Sequence, residues 1–184
     1  MKRLCNLPRR FTRSEEGTLS VETVIVFPIV LWALFGMFVF WDVFSTVNRN
    51  TKATYTIADL ISREPDPIDP NYLDGLGGVY NMLVRDADAN STLRVSVVSN
   101  KVNEAGFEEL TLEWSYGTGD MPDRTTLDGL LGNIPIMAVG DNLIVVETKT
   151  FWEPALTIGI GSRDITNRVV TSPRFVAQVL YQTS

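Results

Sequence analysis

Residues 24–41 read VIVFPIVLWALFGMFVFW, eighteen positions without a charge. At the α-helical rise such a run is about 27 Å long, close to the roughly 30 Å hydrocarbon thickness of a bilayer, and residues 18–23 lengthen it further. A core helix in a small domain keeps a polar stripe, whereas this segment is apolar on every side, which favours a membrane span. Pro28 and Gly36 would weaken a helix in water, but in lipid a local kink is re-satisfied by neighbouring groups. A cleavable secretory signal would have an apolar core of about 7–15 residues followed by small side chains. Here the run ends Phe38-Val39-Phe40-Trp41-Asp42.

The charges on either side of the run differ in sign. Residues 1–17 hold Lys2, Arg3, Arg9, Arg10 and Arg13 against Glu15 and Glu16, a balance of +3, while residues 43–184 carry −7. The positive-inside bias therefore predicts a single-pass protein with its N-terminus in the cytoplasm and residues 43–184 across the membrane. The 184-residue chain has a net charge of −6, which argues against a nucleic-acid partner. With no histidine and one cysteine, it lacks the parts for His/Cys zinc sites, Ser-His-Asp triads, Cys/His nucleophile pairs and internal disulfides. Hydrolysis by paired carboxylates is the main enzymatic route left, and no Asp/Glu pair stands in a recognisable context for it. The expectation is a protein that is not an enzyme and takes no cofactor or metal. Cys5 has only four residues before it, too few for a lipoprotein anchor, and reads as a reduced cytosolic thiol.

Glu22 is the one carboxylate inside the apolar segment, five residues after Gly17 in the string RSEEGTLSVE at 13–22. A charge at the centre of a bilayer costs at least about 2.5–3.5 kcal/mol, less near the interface, so Glu22 either snorkels to the cytoplasmic edge or has a partner. The arrangement of a basic leader ending in Gly, then an apolar helix interrupted by Glu at the fifth position, resembles class III signal sequences of type IV pilin-like proteins. EEGTLSVETVIVFP at 15–28 is similar to the opening of TadE-like pseudopilins of the tight-adherence (Flp-type) pilus system. Residues 55–63 (YTIADLISR), 145–147 (VVE) and 172–175 (SPRF) carry a looser similarity.

The resemblance implies cleavage between Gly17 and Thr18 by a prepilin peptidase, and pairing of Glu22 with the new α-amine of Thr18 in a neighbouring subunit. It also implies a minor pseudopilin of the bacterial inner membrane with a periplasmic domain, taking part in adhesive pilus assembly or entering the extracellular pilus. Its partners would be other pilins or pseudopilins, Tad inner-membrane assembly proteins and the lipid bilayer. The alternative is an uncleaved single-pass scaffold or sensor with a periplasmic ligand-binding domain, which leaves Gly17 and Glu22 unexplained.

Beyond the span, residues 42–63 lack Gly and Pro, and Phe44, Val47, Thr54, Ile57 and Ile61 recur at threes and fours. This spacing predicts that the helix continues as an amphipathic one with those side chains on its buried face. The prolines of EPDPIDP at 64–70 stop it. Asp69-Pro70 predicts the start of a second helix, capped by Asp69, with Leu73, Leu76, Tyr80 and Leu83 on one face. Asp66, Asp69 and Asp74 lack calcium-loop spacing and read as capping and solvation. Leu93, Val95 and Val97 alternate, as do Leu110, Leu112, Trp114 and Tyr116, predicting a hairpin about the loop at 103–106. Further strands are expected at 143–152, 165–170 and 174–181. Trp114 and Trp152 are expected in the core, with a carbohydrate or peptide groove as the other reading of these aromatics. The expected fold is α+β and pilin-like, a long N-terminal helix on a small antiparallel sheet. Its parts are a leader at 1–17, a transmembrane helix at 18–41, a periplasmic continuation at 42–63 and an α+β domain at 64–184.

Overall fold

A computed structural model of the chain describes residues 16–86 and 90–183, with side chains from residue 21. Residues 1–15 of the basic leader, Cys5 among them, lie outside the described residues. Helix α1 (Glu16–Ser62) is followed by α2 (Pro70–Val84), β1 (Thr92–Val102), β2 (Glu108–Gly117), β3 (Asn142–Trp152) and β4 (Arg163–Thr171). The strands form one antiparallel sheet in the order β2-β1-β3-β4. The chain divides into two compact units, α1 up to Asp42 with Pro154–Gly161, and Val43–Glu153 with Ser162–Ser184.

In the first unit, α1 is long and apolar enough to cross a membrane, and its large side chains are exposed around the circumference, with Val24 at 73%, Trp32 at 66% and Met37 at 71%. Water gives no reason for such a surface, whereas hydrocarbon solvates it. Pro28 lies inside the helix; it has no N–H to give, so the ladder loses the bond to the carbonyl four residues back.

In the second unit, the last turns of α1 pack with α2 on one face of the sheet. Ala53, Ile57, Ala58 and Ile61 of α1 join Leu73, Leu76, Tyr80 and Val84 of α2 against Leu93, Val95, Val97, Ile144, Val146 and Val169. The strand side chains alternate, as the pleat requires, so the facing set comes from every second position. The buried stripe of α1 departs from the expected one. Thr54, Ile57 and Ile61 are buried, but Phe44 and Val47 are exposed, and Thr46 and Asn50 take the inward positions. The reason is a polar seam. Asn50 Oδ1 accepts from Tyr80 Oη at 2.7 Å and Thr150 Oγ1 at 2.6 Å, and Asn50 Nδ2 donates to the Thr46 carbonyl at 2.9 Å. Thr54 Oγ1 donates to the Asn50 carbonyl and lies 2.8 Å from Thr148 Oγ1. Every group in this seam has a partner, the condition under which buried polar atoms fix a register rather than weaken a core.

α2 begins as the sequence predicts. Asp69 accepts from the Tyr72 amide at 2.7 Å, Pro70 occupies the first turn, and Arg85 closes the helix in the left-handed region at φ 62°. Leu83, expected inside, is exposed, and Val84 is buried in its place. The β1–β2 hairpin turns at residues 103–106, where Gly106 has φ +83°, a conformation that suits a residue without Cβ. The segment 174–181 is not a fifth strand. It runs along the core edge, bridging Ile68 at Tyr181 alone and donating the Arg174 amide to the Ser62 carbonyl. Trp114 stacks on Tyr181 at 5.2 Å and donates to the Val179 carbonyl, while Trp152 is buried, so both tryptophans serve packing.

Candidate functional site

Gly17, Thr18 and Glu22 all lie within α1, Glu22 one turn beyond Thr18. Positions 18 and 22 are four apart and share a helix face. Glu22 is exposed, and with Thr23, Val26, Phe27 and Val30 it lines a shallow groove of about 360 Å³ along one stripe of the helix. Residues 21–42 and 154–161 contain no Lys or Arg, so the described part of the first unit offers Glu22 no cation.

The second unit contains a contrasting charge cluster that sequence reading does not find. Glu147 lies on the sheet face turned away from α1, between Arg94 and Arg168, its direct cross-strand neighbours on β1 and β4. Arg124, from the loop after β2, completes the cluster. Arg94 Nε donates to Glu147 Oε2 at 2.9 Å, Arg124 donates through Nε and Nη2 at 2.9 Å each, and Arg168 donates through Nε at 3.0 Å and Nη2 at 2.7 Å. The third nitrogens donate to the carbonyls of Pro122, Asp128 and Gly129, which ties the loop to the sheet. Burial alone would raise the Glu147 carboxyl, but hydrogen bonds from Arg124, Arg94 and Arg168 prevail and hold it at about 2. This is a structural clasp. The one signal in the sequence is that Arg94 interrupts the outward face of an alternating strand.

A third feature is a cleft of about 650 Å³ beside α2 and the sheet end, edged by Gly77, Gly78 and Gly119 and floored by residues from β1, β3 and β4. Asp74 at its rim accepts from Tyr116 Oη at 3.0 Å; burial and this bond push the Tyr116 phenol up to about 12. Among the described residues no three of His, Cys, Asp or Glu are grouped to hold a metal ion. Asp69 caps α2 and Asp74 holds Tyr116, which accounts for two of the three aspartates weighed as a calcium loop.

No protein-family model, no curated protein and no solved structure matches this chain.

Proposed function

We propose that the chain is a TadE-like minor pseudopilin, held in the bacterial inner membrane by residues 18–41 and acting in assembly of a Tad/Flp-type adhesive pilus. In this reading the N-terminus is cytoplasmic, the α+β unit is periplasmic, and a prepilin peptidase removes residues 1–17. The observation that carries the reading is the junction of two surfaces on one unbroken helix. α1 exposes apolar side chains on all sides where it holds Glu22, and packs a polar and apolar stripe against a sheet where it ends. A helix built this way presents its first half to lipid or to other apolar helices while its second half positions a folded head, a pilin-like plan.

Glu22 then supplies register. A carboxylate in hydrocarbon is stabilised by a partner charge, and the α-amine freed at Thr18 of a neighbouring copy is the group that processing would create. Other pilins, pseudopilins and Tad inner-membrane proteins are the partners of the apolar surface.

The test is intact mass with N-terminal sequencing of membrane-extracted protein, made with and without its prepilin peptidase. A peptidase-dependent chain starting at Thr18 is the expected result. Retention of residues 1–17 in both samples overturns processing and favours the uncleaved scaffold or sensor.

A further inference from the structure

The connection between β3 and β4 leaves the sheet and joins the helix. The two strands pair as far as Trp152 and Arg163, yet Pro154–Gly161 belongs to the compact unit of α1 rather than to that of the strands it links. Its companions are thus residues of α1 at or before Asp42, the first charge after Glu22. Between Val21 and Asp42 the one buried side chain is Val39, 2% exposed where Phe38 and Phe40 on either side are 51% and 53%. Val39 lies inside the uncharged run, three residues or about 4.5 Å on the span side of Asp42.

The composition of the loop matches that depth. Residues 154–162, PALTIGIGS, carry no charge, and Glu153, Arg163 and Asp164 bracket them. Leu156 is 41% exposed, and Ile158 and Ile160 are half-buried. A lone exposed Leu is ordinary on a protein in water, but these three aliphatics are grouped in one unit with the exposed apolar surface of α1, for which hydrocarbon is the fitting solvent. Interfacial segments bury apolar side chains roughly 5–10 Å into the boundary of headgroups and acyl chains. The backbone sets a limit on going deeper. The loop is irregular, with the Ile158 amide donating to the Leu156 carbonyl at 3.0 Å and Gly159 at φ +74°, and irregular backbone is not tolerated facing hydrocarbon. Water at the headgroup layer satisfies what the loop does not. With no Lys or Arg among residues 154–161, attachment of this kind needs no anionic lipid.

We propose that residues 154–161 form a second membrane contact beside the span, lying in the headgroup layer with Leu156, Ile158 and Ile160 at the edge of the acyl chains. The proposal rests on α1 crossing a membrane and holds for a cleaved or an uncleaved chain.

The test uses the full chain in phosphatidylcholine vesicles at low protein-to-lipid ratio, in a Cys5→Ser background that removes its one natural thiol. Single cysteines are introduced by Leu156→Cys, by Thr157→Cys as a second loop position, by Trp41→Cys in α1, and by Phe107→Cys on the β1–β2 hairpin. All four sites are exposed, so the labels leave the core intact, and the hairpin lies at the opposite end of the sheet from the β3–β4 connection. Each is labelled with nitrobenzoxadiazole and quenched by lipid carrying a nitroxide either on its headgroup or near its acyl end. The expected result is blue-shifted emission at 156 and 157, with a loss to the headgroup nitroxide larger than at 107 and larger than the loss to the acyl-end nitroxide. Loop labels that respond like the one at 107, while the label at 41 is quenched, overturn the proposal and leave the span in place. Blue-shifted loop labels that neither nitroxide quenches also overturn it, since the loop is then covered by protein, such as a second copy. A label at 41 that no lipid quenches removes the span itself, and the proposal with it.

Discussion

Glu22 and Glu147 are the same side chain in opposite surroundings. Glu147 is buried in a sheet and receives hydrogen bonds from three guanidinium groups, all drawn from its own chain. Glu22 is exposed on an apolar helix whose described unit offers it no cation. The contrast separates a charge that closes a fold from a charge left open at a surface. In the first the compensation is internal and the carboxylate contributes to stability; in the second it contributes little to stability, and any role it has depends on what approaches.

The strongest way to break the comparison is at Glu147. Glu147→Ala leaves Arg94, Arg124 and Arg168 facing one another without an anion, and removing one side of a buried ionic cluster costs about 3–5 kcal/mol. Urea unfolding of the full chain in micelles, followed by tryptophan fluorescence, reads this loss. A midpoint equal to that of the parent chain would show the clasp to be idle.

Acid sharpens the same point. The Glu147 carboxyl titrates at about 2 when folded, against an ordinary value of 4.5, so the unfolded state binds more protons between these values. Its contribution is fully present above pH 4.5 and is lost as pH falls toward 2, an amount of about 3 kcal/mol by linkage. The parent chain is therefore expected to lose stability steeply across that window, and Glu147→Gln is expected to have a flatter profile. Equal slopes in the two chains would remove Glu147 as the cause.

The polar seam under α1 gives a smaller effect. Tyr80→Phe deletes one hydroxyl that donates to Asn50, while Thr150 continues to donate to the same oxygen. The expected loss is about 1 kcal/mol, checked by the same unfolding measurement. A loss several times larger would mean that the seam acts cooperatively, each bond depending on the next.

These sites also show where sequence reading works and where it stops. The apolar helix, the Asp69 cap and the β1–β2 hairpin each rest on neighbours in sequence, and each is legible from periodicity or capping chemistry. The inward face of α1 is half legible. Ile57 and Ile61 follow the apolar period, but Thr46 and Asn50 are inside because Tyr80, Thr148 and Thr150 meet this seam from elements far along the chain, and a search for apolar residues selects Phe44 and Val47 instead. The Glu147 clasp lies beyond local reading, since Arg94, Arg124 and Arg168 converge only once the strand register is set. Residues 174–181 look like a strand and are not one, because their partner is a bend around Ile68 rather than a sheet edge. The cleft has no sequence signature. Its lining comes from α2, the loop after β2 and three strands, segments that meet only in three dimensions.

Glu22→Gln has the smallest expected effect on the fold and the largest on the proposed function. The side chain is exposed, and surface changes of this kind alter stability by about 0.5 kcal/mol or less, so the unfolding midpoint should stay where it is. Membrane insertion should also persist, since glutamine is less costly in lipid than a carboxylate and the apolar run at 24–41 is unchanged. What the substitution removes is the negative charge, and with it any salt bridge to the amine of Thr18 in an adjoining copy. Cells carrying Glu22→Gln should hold normal amounts of the protein in the inner membrane and lose pili, counted by electron microscopy. Normal piliation would make Glu22 an interfacial charge without a partner, and the open half of the comparison would then have no function attached to it. Loss of the protein from the membrane would move its role back into folding, where Glu147 already stands.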